Sequence, residues 1–224
     1  MNDGSITKPN GVLVTDFDGT MTRHDFFKRV IESLLPSGTP DYWADYRAGA
    51  ITHFEALRRY FASIRASERD VLRVVDGMEL DPRLPDAVAS LQQAGWKVVV
   101  VSAGCDWYIQ RLLKQAKVEI EVHSNPGRFE EGKGLIMEMP TNSPYFSQSL
   151  GVNKAGVVQH FQAEGNAVAF AGDGFPDAES ARLVADDLRF ARADLATVLR
   201  DEGLPFHSFD VWSEIARVLL EMRV

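Results

Sequence analysis

The chain contains a single cysteine, Cys105, so it can form no internal disulfide and no zinc site built on several cysteines. It also lacks any apolar run near the ~18 residues that a membrane-spanning helix requires. Cations are outnumbered, with 24 Lys and Arg against 32 Asp and Glu, and the formal net charge is −8. That balance argues against non-specific nucleic-acid binding and against docking on an acidic membrane. The five histidines (His24, His53, His123, His160 and His207) show no metal-ligand spacing and stay unassigned. No internal repeat or low-complexity tract is present. Met1 to Asn10 is polar, with neither a basic lead nor an apolar core of a signal peptide. A soluble cytoplasmic protein is therefore expected, with residues 1–10 as a mobile lead-in. The 224 residues, 45% apolar, suit one domain or a core with a small insert.

What is present is organised around Val12-Leu13-Val14-Thr15-Asp16-Phe17-Asp18-Gly19-Thr20. An apolar, β-branched run predicts a buried strand that ends in two aspartates, with Gly19 allowing a tight turn. Unpaired carboxylates are costly to bury, so a cationic partner is expected there. Beyond Thr20 the pattern becomes helical. Helices are predicted over Asp25–Leu35, Asp41–Ala48 and Thr52–Ser63, and Ser67 reads as the N-cap of a fourth, with Asp70 three residues on. Residues 25–84 thus form an all-helical insert.

From Pro85 onward helix and strand alternate. The pattern predicts a helix over Asp86–Ala94, a buried strand over Trp96–Val101, and a helix running through Asp106 to Gln115. A strand over Val118–Val122, a small hairpin excursion and a helix from Asn153 to Phe161 follow. Ala167–Ala171 is a further strand, with a helix after it to Ala185, a last short strand at Leu188–Ala191 and a closing helix at Val211–Met222. This grammar implies an α/β fold with a doubly wound, mostly parallel Rossmann-like sheet and a helical cap inserted after the first strand. The expected core is 1–24 with 85–224, and the expected cap domain is 25–84. Three polar clusters (Asp16/Asp18, Ser102, Asp173/Asp177) each end a different predicted strand. In such sheets these ends meet in one crevice.

The string Asp16-Phe17-Asp18-Gly19-Thr20 resembles the first motif of the haloacid dehalogenase superfamily. Ser102, Lys154 and Gly172–Asp177 follow in the order of that family's later motifs. The resemblance spans roughly residues 11–180. It implies a phosphatase in which Asp16 is the nucleophile, Asp18 the general acid/base, and the Asp18 carbonyl a metal ligand. The residue chemistry agrees. Asp16 and Asp173 are hard oxygen ligands suited to Mg²⁺, and Asp18 can protonate a leaving alcohol and then activate water. Ser102 and the amides of Ala103 and Gly104, at an expected strand-to-helix turn, suit an anion. Lys154 would neutralise phosphate, and Asp177 would anchor metal waters or Lys154. Cys105 borders the site and reads as packing.

The position of the helical insert resembles the phosphoserine-phosphatase-like branch, in which Asp25 falls at the acidic hinge that holds a substrate amine. Ser102-Ala103-Gly104 and Gly174-Phe175-Pro176-Asp177 depart from the motifs of phosphoserine phosphatases. The tail, with Leu188–Arg192 and Leu204-Pro205-Phe206, is similar to the methionine-salvage phosphatases that act on 2-hydroxy-3-keto-5-methylthiopentenyl-1-phosphate. The expected partner is accordingly a small phosphorylated metabolite, with phosphoserine and pyridoxal phosphate as alternatives. Arg47 and the Arg58-Arg59 pair read as a solvated face from which one residue could reach substrate. A dehalogenase would not need Asp18, and a non-catalytic phosphate-binding module would be expected to lack Asp16, Asp18 or Lys154. The assembly is expected to be a monomer or homodimer.

Overall fold

A computed structural model describes residues 11–222, so the lead-in expected over residues 1–10 lies outside the described residues. β1 (Gly11–Thr15) is followed by α1 (Phe26–Ser33), α2 (Tyr42–Arg47), α3 (His53–Ala62) and α4 (Glu68–Asp76). Alternation returns with α5 (Leu84–Gln93), β2 (Trp96–Cys105), α6 (Asp106–Gln115) and β3 (Glu121–Asn125). Two hairpins come next, β4 (Gly127–Glu130) with β5 (Gly134–Met137) and β6 (Phe146–Ser147) with β7 (Gly151–Val152). The chain then runs through α7 (Lys154–Ala163), β8 (Ala167–Gly172), α8 (Ala178–Arg182), β9 (Arg189–Ala191), α9 (Ala193–Asp201), β10 (His207–Ser208) and α10 (Ser213–Glu221).

Six parallel strands form one sheet in the order β10-β9-β8-β1-β2-β3. This is the α/β, doubly wound architecture expected from the alternation. β1 sits between β2 and β8, where the direction of winding reverses, and the crevice beyond its carboxyl end is the natural ligand site of such a sheet. Register levels the three polar clusters, since Thr15 faces Val100 on one side and Ala171 on the other.

Burial explains why β1 holds this central place. Val12, Leu13 and Val14 are fully buried, with alternate side chains on opposite faces. Leu13 packs in the cluster containing Leu91, Ile109 and Trp212, while Val12 and Val14 pack with Val157, Phe161 and Leu195. Truncating Leu13 to alanine would cost about 2–5 kcal/mol by the usual cavity penalty. The four helices after β1 are short, and each starts on a side-chain cap. Asp25 accepts from Phe27 N, Asp41 from Trp43 N and Ala44 N, Thr52 from Glu55 N, and Ser67 from Asp70 N.

Several boundaries differ from the sequence reading. β2 extends through Cys105 rather than ending at Val101, because Asn125 Nδ2 donates to Ala103 O at 2.7 Å and Cys105 pairs with Asn125 across a register shift. The third strand starts at Glu121, not Val118. Lys117 takes a left-handed conformation (φ 56°) and Val118 N bonds back to Leu113 O, so residues 118–120 complete the exit from α6. The helix expected after Asp173 is a 3₁₀ turn, Phe175–Asp177, leading into the short α8. β9 is not the last strand, because His207 and Ser208 add β10 beyond α9.

Candidate active site

The carboxyl ends of β1 and β8 and the start of α7 converge on one ion triad. Lys154 Nζ lies 2.7 Å from Asp16 Oδ1 and 2.7 Å from Asp177 Oδ1, and all three residues are buried. Lys154 is therefore no surface lysine. Asn153 caps α7 through Gly156 N and aims the next residue inward. Burial alone would lower the Lys154 ammonium, but Asp16 and Asp177 outweigh it and push its pKa up. Asp177 spends its other oxygen on the backbone, accepting from Asp173 N at 3.1 Å and Gly174 N at 3.0 Å. With both oxygens engaged, Asp177 braces Lys154 and the turn after β8.

Asp16 and Asp173 are less satisfied. Asp16 Oδ2 accepts no hydrogen bond from the described residues, while Asp173 Oδ1 receives only a 3.4 Å contact from Thr20 Oγ1. Burial pushes the Asp16 carboxyl well above the usual range, against the pull of Lys154 and with the push of Asp177 and Asp173. Burial and Asp177 raise Asp173 to about 7. Carboxylate oxygens of Asp16, Asp173 and Asp177 lie within 4.8 Å of one another. One ammonium among these carboxylates leaves negative charge uncompensated, and hard oxygen donors in this number fit a divalent cation. Gly19 (φ +71°) contributes space as well, because a Cβ there would collide with the Asp173 carboxylate.

Asp18 is held from the other side. Its Oδ1 accepts from Phe26 N at 3.1 Å, and its Oδ2 accepts from Tyr108 Oη at 2.7 Å and Ser102 Oγ at 3.4 Å. Burial raises its pKa against these bonds, which favours a carboxyl able to carry a proton. Ser102 Oγ also accepts from Gly104 N at 3.0 Å. The anion site expected at the Ala103 and Gly104 amides is thus corrected in one respect: Gly104 N–H is already engaged, and α6 begins only at Asp106. Gly104 is required here by close approach, since a Cβ would strike the Tyr108 hydroxyl and crowd Asp18.

These groups line a cavity of about 160 Å³. Asp16, Asp18, Ser102, Ala103, Gly104, Lys154, Asp173 and Asp177, together with Asp25, all border it, so these nine candidates are brought together. Asp25 caps α1, and loss of solvent, then Asp18 and Asp173, push its carboxyl well up. The helical side adds residues that pattern reading missed: Lys28, Trp43 and His53, with Tyr108 from α6. Arg47, Arg58 and Arg59 do not border the cavity; Arg58 and Arg59 both pair with Glu55, and Arg47 with Asp41, on the outer face. Cys105 is fully buried and its thiol is pushed up to about 12 by burial, which makes it packing.

The model of the family described as haloacid dehalogenase-like hydrolase matches residues 13–182, from β1 through α8. The chain belongs to this family. With the paired acids Asp16 and Asp18 in place, it is a phosphatase of the haloacid dehalogenase-like hydrolases. It is 22% identical over 207 residues to the 2-hydroxy-3-keto-5-methylthiopentenyl-1-phosphate phosphatase of Bacillus pumilus, covering 91% of this chain and 88% of that one. It is 27% identical over 226 residues to the polyol phosphate phosphatase PYP1 of Saccharomyces cerevisiae, covering 91% and 90%. The fold resembles that of phosphoserine phosphatase from T. onnurineus, with a TM-score of 0.63, 18% identity, and coverage of 99% and 100%. The haloacid dehalogenase-like hydrolase family was thus legible in the motifs. Among the described residues, no helix is long and apolar enough to cross a membrane.

Proposed function

We propose that the protein is a Mg²⁺-dependent phosphomonoester hydrolase that transfers the phosphoryl group of a small metabolite to Asp16 and then to water. The observation that carries this reading is the pairing of Asp16, whose Oδ1 is fixed by Lys154 and whose Oδ2 is free to attack, with Asp18, held by hydrogen bonds on a separate side. In the first step Asp16 Oδ2 attacks phosphorus, the P–O ester bond breaks, and the leaving oxygen takes the proton of Asp18. In the second, Asp18 receives a proton from water, the water oxygen attacks phosphorus, and the Asp16 carboxylate is regenerated with release of inorganic phosphate.

Lys154 stays protonated throughout and lowers the charge that a phosphoryl group meets beside Asp16. Ser102 orients Asp18 and, with the Ala103 amide, receives a phosphoryl oxygen. Asp16, Asp173 and the Asp18 carbonyl would hold Mg²⁺, with Asp177 fixing Lys154 behind them. When bound, the ion supplies positive charge that orients the phosphate and keeps Asp16 ionised.

Residues 25–84 act in this reading as a cap domain over the core of 1–24 and 85–224. The substrate favoured is of the 2-hydroxy-3-keto-5-methylthiopentenyl-1-phosphate type, which the named relatives support. Phosphoserine has Asp25 in its favour, as a partner for the amine. It would have to set its carboxylate against Lys28, because no arginine borders the cavity. The reading places a monomer or homodimer in the cytoplasm. A panel of phosphorylated metabolites assayed with Mg²⁺ and with EDTA tests it. Phosphate release that requires Mg²⁺ and ranks the hydroxy-keto ester first is expected; turnover indifferent to chelation would overturn the metal assignment.

A further inference from the structure

The side of the cavity opposite the carboxylates is aromatic and aliphatic, formed by Phe27, Trp43, Leu57 and Phe61 from α1, α2 and α3. One polar ring interrupts it. His53 is 8% exposed, borders the cavity, and its Nδ1 is buried with no hydrogen-bond partner. The ring is wedged edge-on against Trp43 (5.2 Å between centroids, 65°) and Tyr46 (5.5 Å, 86°), which fixes its orientation without satisfying its nitrogens. Nδ1 itself is sealed off from the cavity, so Nε2 is the ring nitrogen left to meet a ligand oxygen there.

The state of the ring narrows what that ligand can be. Burial, reinforced by Lys154, lowers the His53 pKa to about 4, so the imidazole is neutral near pH 7. A neutral imidazole offers one donor and one acceptor and no charge, which suits a hydroxyl or a carbonyl rather than a carboxylate. Among the described residues from α1 to α3, Lys28 is the only cation bordering the cavity. His53 lines the same cavity as Asp16 and Lys154.

We propose that His53 is the specificity-determining residue of this site, hydrogen-bonding an uncharged hydroxyl or carbonyl oxygen of the leaving alcohol, so that the substrates are phosphomonoesters of neutral, oxygen-bearing alcohols and not of amino acids. This rests on the phosphatase reading of the same cavity and adds the class of leaving group. Trp43 and Phe27 cover the carbon skeleton, and His53 reads its oxygen. A site built to hydrogen-bond a substrate hydroxyl rejects the analogue without it far more strongly than an apolar pocket rejects a missing methylene.

The test compares kcat/KM for erythritol 4-phosphate, n-butyl phosphate and O-phosphoserine in the wild type, His53→Leu and His53→Gln, with p-nitrophenyl phosphate as reference. The wild type should prefer the erythritol ester over the butyl ester by on the order of 10²-fold. His53→Leu should shrink that ratio tenfold or more, and His53→Gln should recover part of it. If His53→Leu does not fold, His53→Phe, which keeps an aromatic ring against Trp43 and Tyr46, makes the same comparison. A ratio near one, a ratio unchanged in a folded His53→Leu, or phosphoserine as the best substrate would each overturn the proposal. Mg²⁺-dependent hydrolysis of the nitrophenyl ester with any of those outcomes removes the role of His53 alone. Failure to hydrolyse any ester removes the phosphatase reading and this proposal with it.

Discussion

On the sheet side of the cavity, polar groups are matched to one another across long sequence distances. Lys154 joins Asp16 to Asp177, Tyr108 and Ser102 hold Asp18, and Asp177 ties two backbone amides. On the helical side the lining is aromatic, and its one buried polar ring atom has no protein partner. The first surface is complete except for charge, lacking a cation for Asp173. On the proposed function, phosphate chemistry and leaving-group selection sit on separate elements, and variants on the two sides should fail in different ways.

The largest effect is expected from Asp16→Asn. An amide is no nucleophile toward phosphorus, so kcat should fall by on the order of 10⁶, the scale seen when a covalent nucleophile is removed. Steady-state assays on a variant with an unchanged thermal melt check this, and a near-wild-type rate would move the nucleophile elsewhere. Asp18→Asn should lose roughly 10²–10⁴, with the deficit smaller for p-nitrophenyl phosphate, whose leaving group needs no proton. Equal losses on both esters with no build-up of phosphorylated enzyme would place Asp18 in binding rather than proton transfer.

Lys154→Ala sharpens the comparison through stability. Because the ammonium is buried between two carboxylates, its removal should destabilise the fold by about 3–5 kcal/mol, as when one partner of a buried ion pair is lost. Chemical denaturation measures this directly, and a shift below about 1 kcal/mol, the range of exposed pairs, would mean that the triad is solvated. Asp25→Ala belongs to the other surface and should reorder substrates by a smaller factor, about tenfold. If all substrates fall together, Asp25 serves the site's charge balance or the α1 cap instead.

The smallest expected effect is a pH-dependent melting shift. Asp173 is raised to about 7 in the folded, metal-free protein from the usual carboxylate value near 4. Between those values the folded state binds the extra proton, so this group's contribution to stability declines as pH rises through that window. Divalent charge favours the ionised form, so the gain in Tm on adding Mg²⁺ should be larger at pH 8 than at pH 5. Saturation at about 100 times Kd would stabilise by about 2.7 kcal/mol. A gain that shrinks with pH would contradict a carboxylate metal site.

The sheet side was far more legible than the helical side, for physical reasons. Asp16, Asp18, Asp173 and Asp177 interrupt the apolar grammar of buried strands, so each stands out as costly unless it has a purpose. Lys154 was visible only through those neighbours, because a lysine after an N-cap reads as solvated; its burial depends on β1 and β8 arriving beside it. Tyr108 and Trp43 carry no local signal that one hydroxyl meets Asp18 or that one indole borders the cavity. His53 was indistinguishable from the other histidines. The break of β2 at Ser102 was misplaced because the bulge depends on Asn125, a contact from the neighbouring strand. β10, two residues long, was missed for want of length, and α9 was passed over although it is as long as α10.

The account rests most heavily on a covalent phosphoryl group at Asp16, and borohydride trapping addresses it directly. Wild-type protein mixed with Mg²⁺ and a fast ester, quenched within one turnover and reduced, converts an acyl phosphate to homoserine at the residue that carried it. Peptide mass spectrometry should find homoserine at Asp16, absent without substrate and more abundant in Asp18→Asn, where hydrolysis of the intermediate is slowed. Homoserine at Asp18, Asp25 or Asp173 instead, or none at any carboxylate despite turnover, would contradict the account.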